Sequence, residues 1–265
     1  MTAKADALQH FTVHHDGVVI PVSHGGRGRP LVLCPGLTSS RAELHELGGF
    51  LRRDHHVISF DLRGHGLSSA ADRYAFEAFA GDFAAVMAAV ERLDLPAPPV
   101  LAGHSYGADL IVHHAAEFPG VAAELVLIDG ANPIPEPFIT EADLPEFREL
   151  WENLATWQET LKGTPRQVLL TPRQILDLNL ELDVIRTEQT LDRFRAIDCP
   201  ITMIMSAAMA GHGTEGRTPQ RNRNWRAGIE RLVRELPQIS VTWLEATHAL
   251  VVTHAREIAG RLATC

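Results

Sequence analysis

Four short apolar runs, each closed by a polar or glycine-rich segment, set the rhythm of the chain: PLVLCPG (30–36), HHVISFDLRGHG (55–66), PPVLAGHSYG (98–107) and AELVLIDGANP (123–133). Their hydrophobic positions are continuous rather than alternating, as in strands buried on both faces. Between them lie Ala/Leu/Glu/Arg-rich stretches over 41–53, 76–93 and 107–117 that read as helices. Short apolar strands alternating with helices predict a mostly parallel sheet flanked by helices, the α/β class. A brief alternating run from Gly17 to Val22, followed by the turn GGRGRP, predicts an edge strand. The polar loops all follow strands, at the carboxyl edge where open α/β sheets bind ligands.

After LVLIDG the pattern changes. Residues 131–197 open on a proline-rich segment, NPIPEPFITEADLPEF, continue as an amphipathic helix over 145–161, break at Gly163-Thr164-Pro165, and run on as helix to about 195. No buried strand interrupts them. The α/β rhythm resumes with CPITMIM (199–205), a helix over 219–236, ISVTWLEA (239–246) and a last helix over 254–263. The expected organisation is a core in two parts, 1–130 and 198–265, with a helical cap, 131–197, inserted over the sheet's carboxyl edge.

Composition narrows this. The 265 residues suit one large domain, and 45% hydrophobic with 22% charged residues is ordinary for a soluble globular chain. A net charge of −9 argues against nucleic-acid binding by phosphate neutralisation. Cys34, Cys199 and Cys265 are too few and too widely spaced for a disulfide framework or zinc site, and read as free thiols. The segment MTAKADALQHFTVHHDG lacks the apolar core of a signal peptide, and no stretch reaches the roughly 18 apolar residues of a membrane span. The expectation is a cytoplasmic protein.

The sharpest chemical signal is Gly103-His104-Ser105-Tyr106-Gly107, directly after an apolar strand and directly before the helical ADLIVHHAAEF. This is the G-x-S-x-G nucleophile elbow in its strand–turn–helix setting. The tight turn strains the serine backbone, and nearly bare flanking residues let neighbouring segments approach. With the loop Cys34-Pro35-Gly36-Leu37-Thr38-Ser39-Ser40, the stretch Asp61-Leu62-Arg63-Gly64-His65-Gly66-Leu67-Ser68 and Ala246-Thr247-His248-Ala249, the chain resembles the α/β-hydrolase superfamily over nearly its whole length, in its capped esterase-type form. The resemblance implies Ser105 as nucleophile, His248 as base, and an oxyanion hole built from the backbone N–H groups of Leu37 and Tyr106. Pro35-Gly36 stands where relatives carry His-Gly; because the donors are backbone groups, the hole is expected to survive.

Of the 14 histidines, His212 competes with His248, while His65, His104, His113, His114 and His254 read as structural or surface residues. A histidine base needs a carboxylate to orient it. Most relatives supply it just after the next-to-last strand, yet ITMIMSAAMAGHG (201–213) has no acid, and the expected slot holds Ala208 and Met209. Asp129, closing LVLID one strand beyond the nucleophile, is the favoured acid, since adjacent strands lie only about 4.8 Å apart. Glu215 and a Ser-His dyad are the alternatives.

The expected reaction is hydrolysis of an ester or lactone of a hydrophobic small molecule through an acyl-enzyme, needing no metal or organic cofactor. Trp151, Trp157 and Phe138 are the expected substrate-binding aromatics, with packing of cap on core as their competing role. A serine rather than an aspartate nucleophile argues against dehalogenase and epoxide-hydrolase chemistry. Carbon–carbon hydrolysis, lyase or cofactor-free oxygenase chemistry, and a non-catalytic ligand receptor, stay open as alternatives, as does a homo-oligomer.

Overall fold

The computed structural model describes residues 7–263; Cys265 lies outside them. Eight strands form one sheet: β1 (Gln9–His15), β2 (Val18–Gly26), β3 (Arg29–Cys34), β4 (His55–Phe60), β5 (Val100–His104), β6 (Glu124–Ile128), β7 (Ile201–Ser206) and β8 (Ser240–Leu244). Their spatial order is β1-β2-β4-β3-β5-β6-β7-β8. β1 and β2 run antiparallel, and every pairing from β4 onward is parallel.

The continuous apolar runs are explained by two separate cores, one on each face. Leu31 and Leu33 point with Val57, Val126, Ile128 and Ile204 toward α1 (His45–Leu51), α8 (Leu250–Thr253) and α9 (Ala255–Leu262). Val32 and Cys34 point the other way with Ile58, Leu101, Leu125, Met203 and Met205. There they meet α2 (Phe76–Glu91), α3 (Tyr106–Glu117) and α7 (Thr218–Glu235). Successive strand residues thus enter different cores, so no position along β3 after its first residue can be polar. Truncating one of these side chains, such as Leu125→Ala, removes about 2–5 kcal/mol of stability. Cys34 is a buried free thiol, and Cys199 is free and half-buried.

One expectation needs correction. The run Gly17–Val22 belongs to β2, which is not at the edge; β1 covers it. The missed strand, QHFTVHH, turns Phe11, Val13 and His15 inward and leaves Gln9, His10, Thr12 and His14 exposed, so its inner face offers only two apolar residues for periodicity to report. Its signal was Asp16-Gly17, both at positive φ, joining His15 and Val18 in a two-residue hairpin. The expected last helix, 254–263, is α9, and a short helix that was not expected, α8, precedes it.

Between β6 and β7 the chain is helical: a 3₁₀ turn (Glu141–Asp143), α4 (Leu144–Glu159), α5 (Pro172–Glu188) and α6 (Thr190–Ala196). Thr171 caps α5, accepting from Gln174 N–H while the Gln174 side chain returns to the Thr171 N–H. Several ties hold the insertion to the body, among them the following. Gln167–Leu169 pairs with the Gly64–Gly66 loop, Leu169 N–H donating to Gly64 O at 2.7 Å. Arg221 on α7 bonds Glu146 and Asp143 and lies over the Phe147 ring. Arg186 on α5 bonds Asp109 on α3. No helix of the described residues is long and apolar enough to cross a membrane.

Candidate active site

At the carboxyl edge of the sheet the β5–α3 turn places Ser105 at φ 51°, ψ −122°. A non-glycine residue there is strained, and such strain concentrates at functional sites. The flanking glycines permit the turn. A Cβ on Gly103 would sit 2.6 Å from the Gly107 backbone, and one on Gly107 2.5 Å from the Pro35 carbonyl oxygen. The residue between serine and glycine is an anchor: the Tyr106 ring packs edge-on against Phe76 and Phe79.

Ser105 Oγ lies 2.8 Å from His248 Nε2, and His248 Nδ1 lies 2.8 Å from Asp129 Oδ2. The carboxylate on the histidine is therefore Asp129, whereas Glu215 and His212 both lie in an exposed stretch. Asp129 also sits at positive φ, 47°. It is fully buried and accepts four hydrogen bonds. One comes from His248, two from Ser206 (N–H at 2.9 Å, Oγ–H at 2.6 Å) and one from the Trp225 indole at 3.0 Å. Burial alone would push this carboxyl up, but the bonds from His248 and Ser206 outweigh it and leave it below the usual carboxylate range.

Sequence reasoning missed Ser206 and Trp225. Ser206 closes the strand that lacks an acid, so that strand supplies a donor to the carboxylate instead. The register explains the meeting: Ile128 pairs with Ile204, which sets Asp129 beside the end of β7.

Two other histidines lie beside the site without bonding Ser105 or Asp129. His65 is fully buried, donates from Nδ1 to Arg63 O and accepts the Thr38 N–H at Nε2. Burial pushes it down to about 4, so it stays neutral and pins the loop that carries Leu37. His104 donates from Nε2 to His248 O at 3.0 Å, and its ring lies 4.9 Å from that of His248. Burial and the neighbouring His248 lower it to about 3.

A cavity of about 190 Å³ opens over Ser105 and His248. Leu37 and Tyr106 lie on its floor, Met209 and Trp225 at one side, and Phe138, Phe147 and Trp151 from the insertion across from them. Trp157 does not line it. That residue is 47% exposed, because six helical positions beyond Trp151 turn it onto the outer face of α4, whereas Phe147, four positions before Trp151, shares the inner face. Among the described residues no group of three or more His, Cys, Asp or Glu is placed to hold a metal ion.

An eight-stranded, mostly parallel sheet with an elbow serine at its carboxyl edge defines a class, and the chain's sequence agrees with it. The profile of the alpha/beta hydrolase family matches residues 31–261, and the chain belongs to that family. Among curated relatives, Protein ABHD8 of Bos taurus is 36% identical over 91 residues, which is 33% of this chain and 20% of that protein. The 2-(acetamidomethylene)succinate hydrolase of Mesorhizobium japonicum is 31% identical over 134 residues, 49% of this chain and 47% of the enzyme. The matches thus span less than half the length of either relative. The crystal structure of E-2-(acetamidomethylene)succinate hydrolase superposes with a TM-score of 0.68 at 18% identity, covering 97% of this chain and 98% of that one. At that identity the likeness concerns the fold.

Proposed function

We propose that this hydrolase is a serine enzyme that cleaves an ester or lactone of a hydrophobic small molecule through an acyl-enzyme. The observation that carries the reading is the unbroken chain Ser105–His248–Asp129 opening onto an aromatic-lined cavity. Ser105 Oγ attacks the substrate carbonyl carbon as its proton passes to His248 Nε2. The second nitrogen keeps its proton on Asp129, whose buried charge steadies the imidazolium that forms. The carbonyl oxygen becomes an oxyanion received by the N–H groups of Leu37 and Tyr106. His248 then protonates the leaving alkoxide, and water, deprotonated by the same histidine, releases the acid and restores Ser105.

Residues 131–197 act in this scheme as a cap over a core of 1–130 and 198–265, contributing Phe138 and Trp151 to the substrate wall. The partial match to the Mesorhizobium enzyme favours a second reading, in which the substrate is an acetamido-bearing acid of the kind in that enzyme's name. A panel of p-nitrophenyl esters, lactones and N-acetyl acids, with a fluorophosphonate label and Ser105→Ala as control, tests both. Turnover and labelling that vanish in Ser105→Ala are expected. Absence of both turnover and labelling in the unmodified protein would rule out a hydrolytic serine.

A further inference from the structure

The cavity wall opposite Ser105 is not uniformly apolar. Helix α5 presents Asn179, Leu182, Asp183 and Arg186 to it, a stripe spaced along one helical face. Arg186 is buried, and its Nε and Nη2 donate to the two carboxylate oxygens of Asp109 at 3.0 and 2.6 Å. Its guanidinium lies 5.3 Å from the centre of the Trp225 ring, the same indole that donates to Asp129. The fork to Asp109 leaves Nη1 over, and among the described residues nothing accepts from it. Asn179 turns its Nδ2 back onto the Ile175 carbonyl, and its Oδ1 likewise has no protein partner among the described residues. Nη1 is not sealed inside the protein, so a ligand that displaces water from it must supply an acceptor in its place.

We infer that Arg186 Nη1 is a substrate-recognition donor for an uncharged oxygen acceptor, such as a ketone or amide carbonyl, carried by the substrate away from its scissile bond, while the acceptor oxygens of Asn179 and Asp183 beside it turn an anion away. This deepens the hydrolase reading and rests on it for the word substrate. Charge selects the neutral group. The Arg186 cation is matched by Asp109, and Asp183 adds a second carboxylate on the same face, so a substrate carboxylate would be a third anion against one cation. Asp183 itself is engaged with the wall, accepting the Ile139 N–H at 2.7 Å. A wholly hydrocarbon substrate would leave Nη1 unpaired after water is expelled from the cavity, so the subsite disfavours it as well.

The test uses three methyl esters matched in length, ending in a methyl ketone, an alkyl group or a carboxylate. Their Kd is measured on the Ser105→Ala protein, where no turnover interferes, and their kcat/KM on the unmodified protein. The ketone is expected to bind at least about tenfold tighter than the alkyl ester, as a charge-assisted hydrogen bond should provide, with the carboxylate weakest. Arg186→Lys keeps a cation for Asp109 but loses the planar fork; it is expected to bring the ratio of alkyl to ketone Kd down to about one. Equal binding of ketone and alkyl esters, tightest binding of the carboxylate, a ketone preference that survives Arg186→Lys, or no binding of any ester would each overturn the subsite. A ketone preference in binding without turnover of any ester would keep the subsite and remove the hydrolase reading. Turnover without the preference would do the reverse.

Discussion

The two sides of the cavity are built on opposite rules. On the sheet side, Asp129 is fully buried and meets four donors, and His248 is held at both nitrogens. On the α5 side, Arg186 and Asn179 each keep a polar atom that no described protein group satisfies. The proposed proton relay would work only if its members cannot wander, which the over-determined geometry on this side supports. A wall that meets a ligand must leave hydrogen-bonding capacity unspent, because the ligand completes it. The contrast extends to pH. Burial holds His65 at about 4 and His104 at about 3 on the sheet side, whereas on α5 burial lifts Asp183 to about 6 against the opposing pull of the Ile139 N–H and Arg186.

The sharpest way to break the comparison is at the carboxylate. Asp129→Asn is expected to lower kcat by about 10⁴-fold with the circular dichroism spectrum unchanged, since an amide favours the wrong histidine tautomer. Glu215→Gln should stay within about twofold of the unmodified protein. A large loss in the Glu215 variant with none in Asp129→Asn would move the relay elsewhere.

Acid should act next most strongly, and on the sheet side. His65, His104 and His114 (the last also lowered to about 4, by burial first and His113 second) stay neutral when folded but charge in the unfolded chain. Their folded values are depressed, so their contribution is complete above about pH 6.5 and fades as pH falls toward 4. The limiting slope is about 4 kcal/mol per pH unit for three protons. Urea unfolding at pH 7.5, 6 and 5 measures it, and a flat profile would contradict the neutral histidines.

Asp183 has the opposite sign. Its folded value is raised, so its contribution is present below the ordinary carboxylate pKa and is lost as pH rises through about 6. Asp183→Asn, which can still accept the Ile139 N–H, should be more stable than the unmodified protein at pH 8, by up to about 3 kcal/mol, and gain nothing at pH 4. Thermal melts of the pair at the two values decide it.

Smaller effects are expected from single contacts. Ser206→Ala removes one of the four donors to Asp129 and should cost about tenfold in kcat, roughly the worth of a hydrogen bond to a charged group. Trp157→Ala should change stability by no more than about 0.5 kcal/mol and leave KM alone, being a surface substitution, while Trp151→Ala raises KM. Equal effects of the two tryptophan variants would put the outer face of α4 into substrate binding.

What the sequence determined is what local pattern can report. Continuous apolar runs marked the strands from β3 to β6, because a strand buried on both faces has little room for polar side chains. Gly103 and Gly107 around Ser105 fixed the elbow, because only bare residues fit its close contacts. The empty slot at Ala208 and Met209 even pointed to Asp129. β1 escaped because two apolar residues, Phe11 and Val13, are too few to mark an inner face, and Trp157 misled because composition does not say which helix face turns inward.

The tertiary structure alone decided the partnerships. Ser206 reaches Asp129 across 77 residues and Trp225 across 96, and Arg186 reaches Asp109 across 77. Such pairings depend on strand register and on how the insertion docks, both set by packing summed over the whole core. No short window of residues contains that sum.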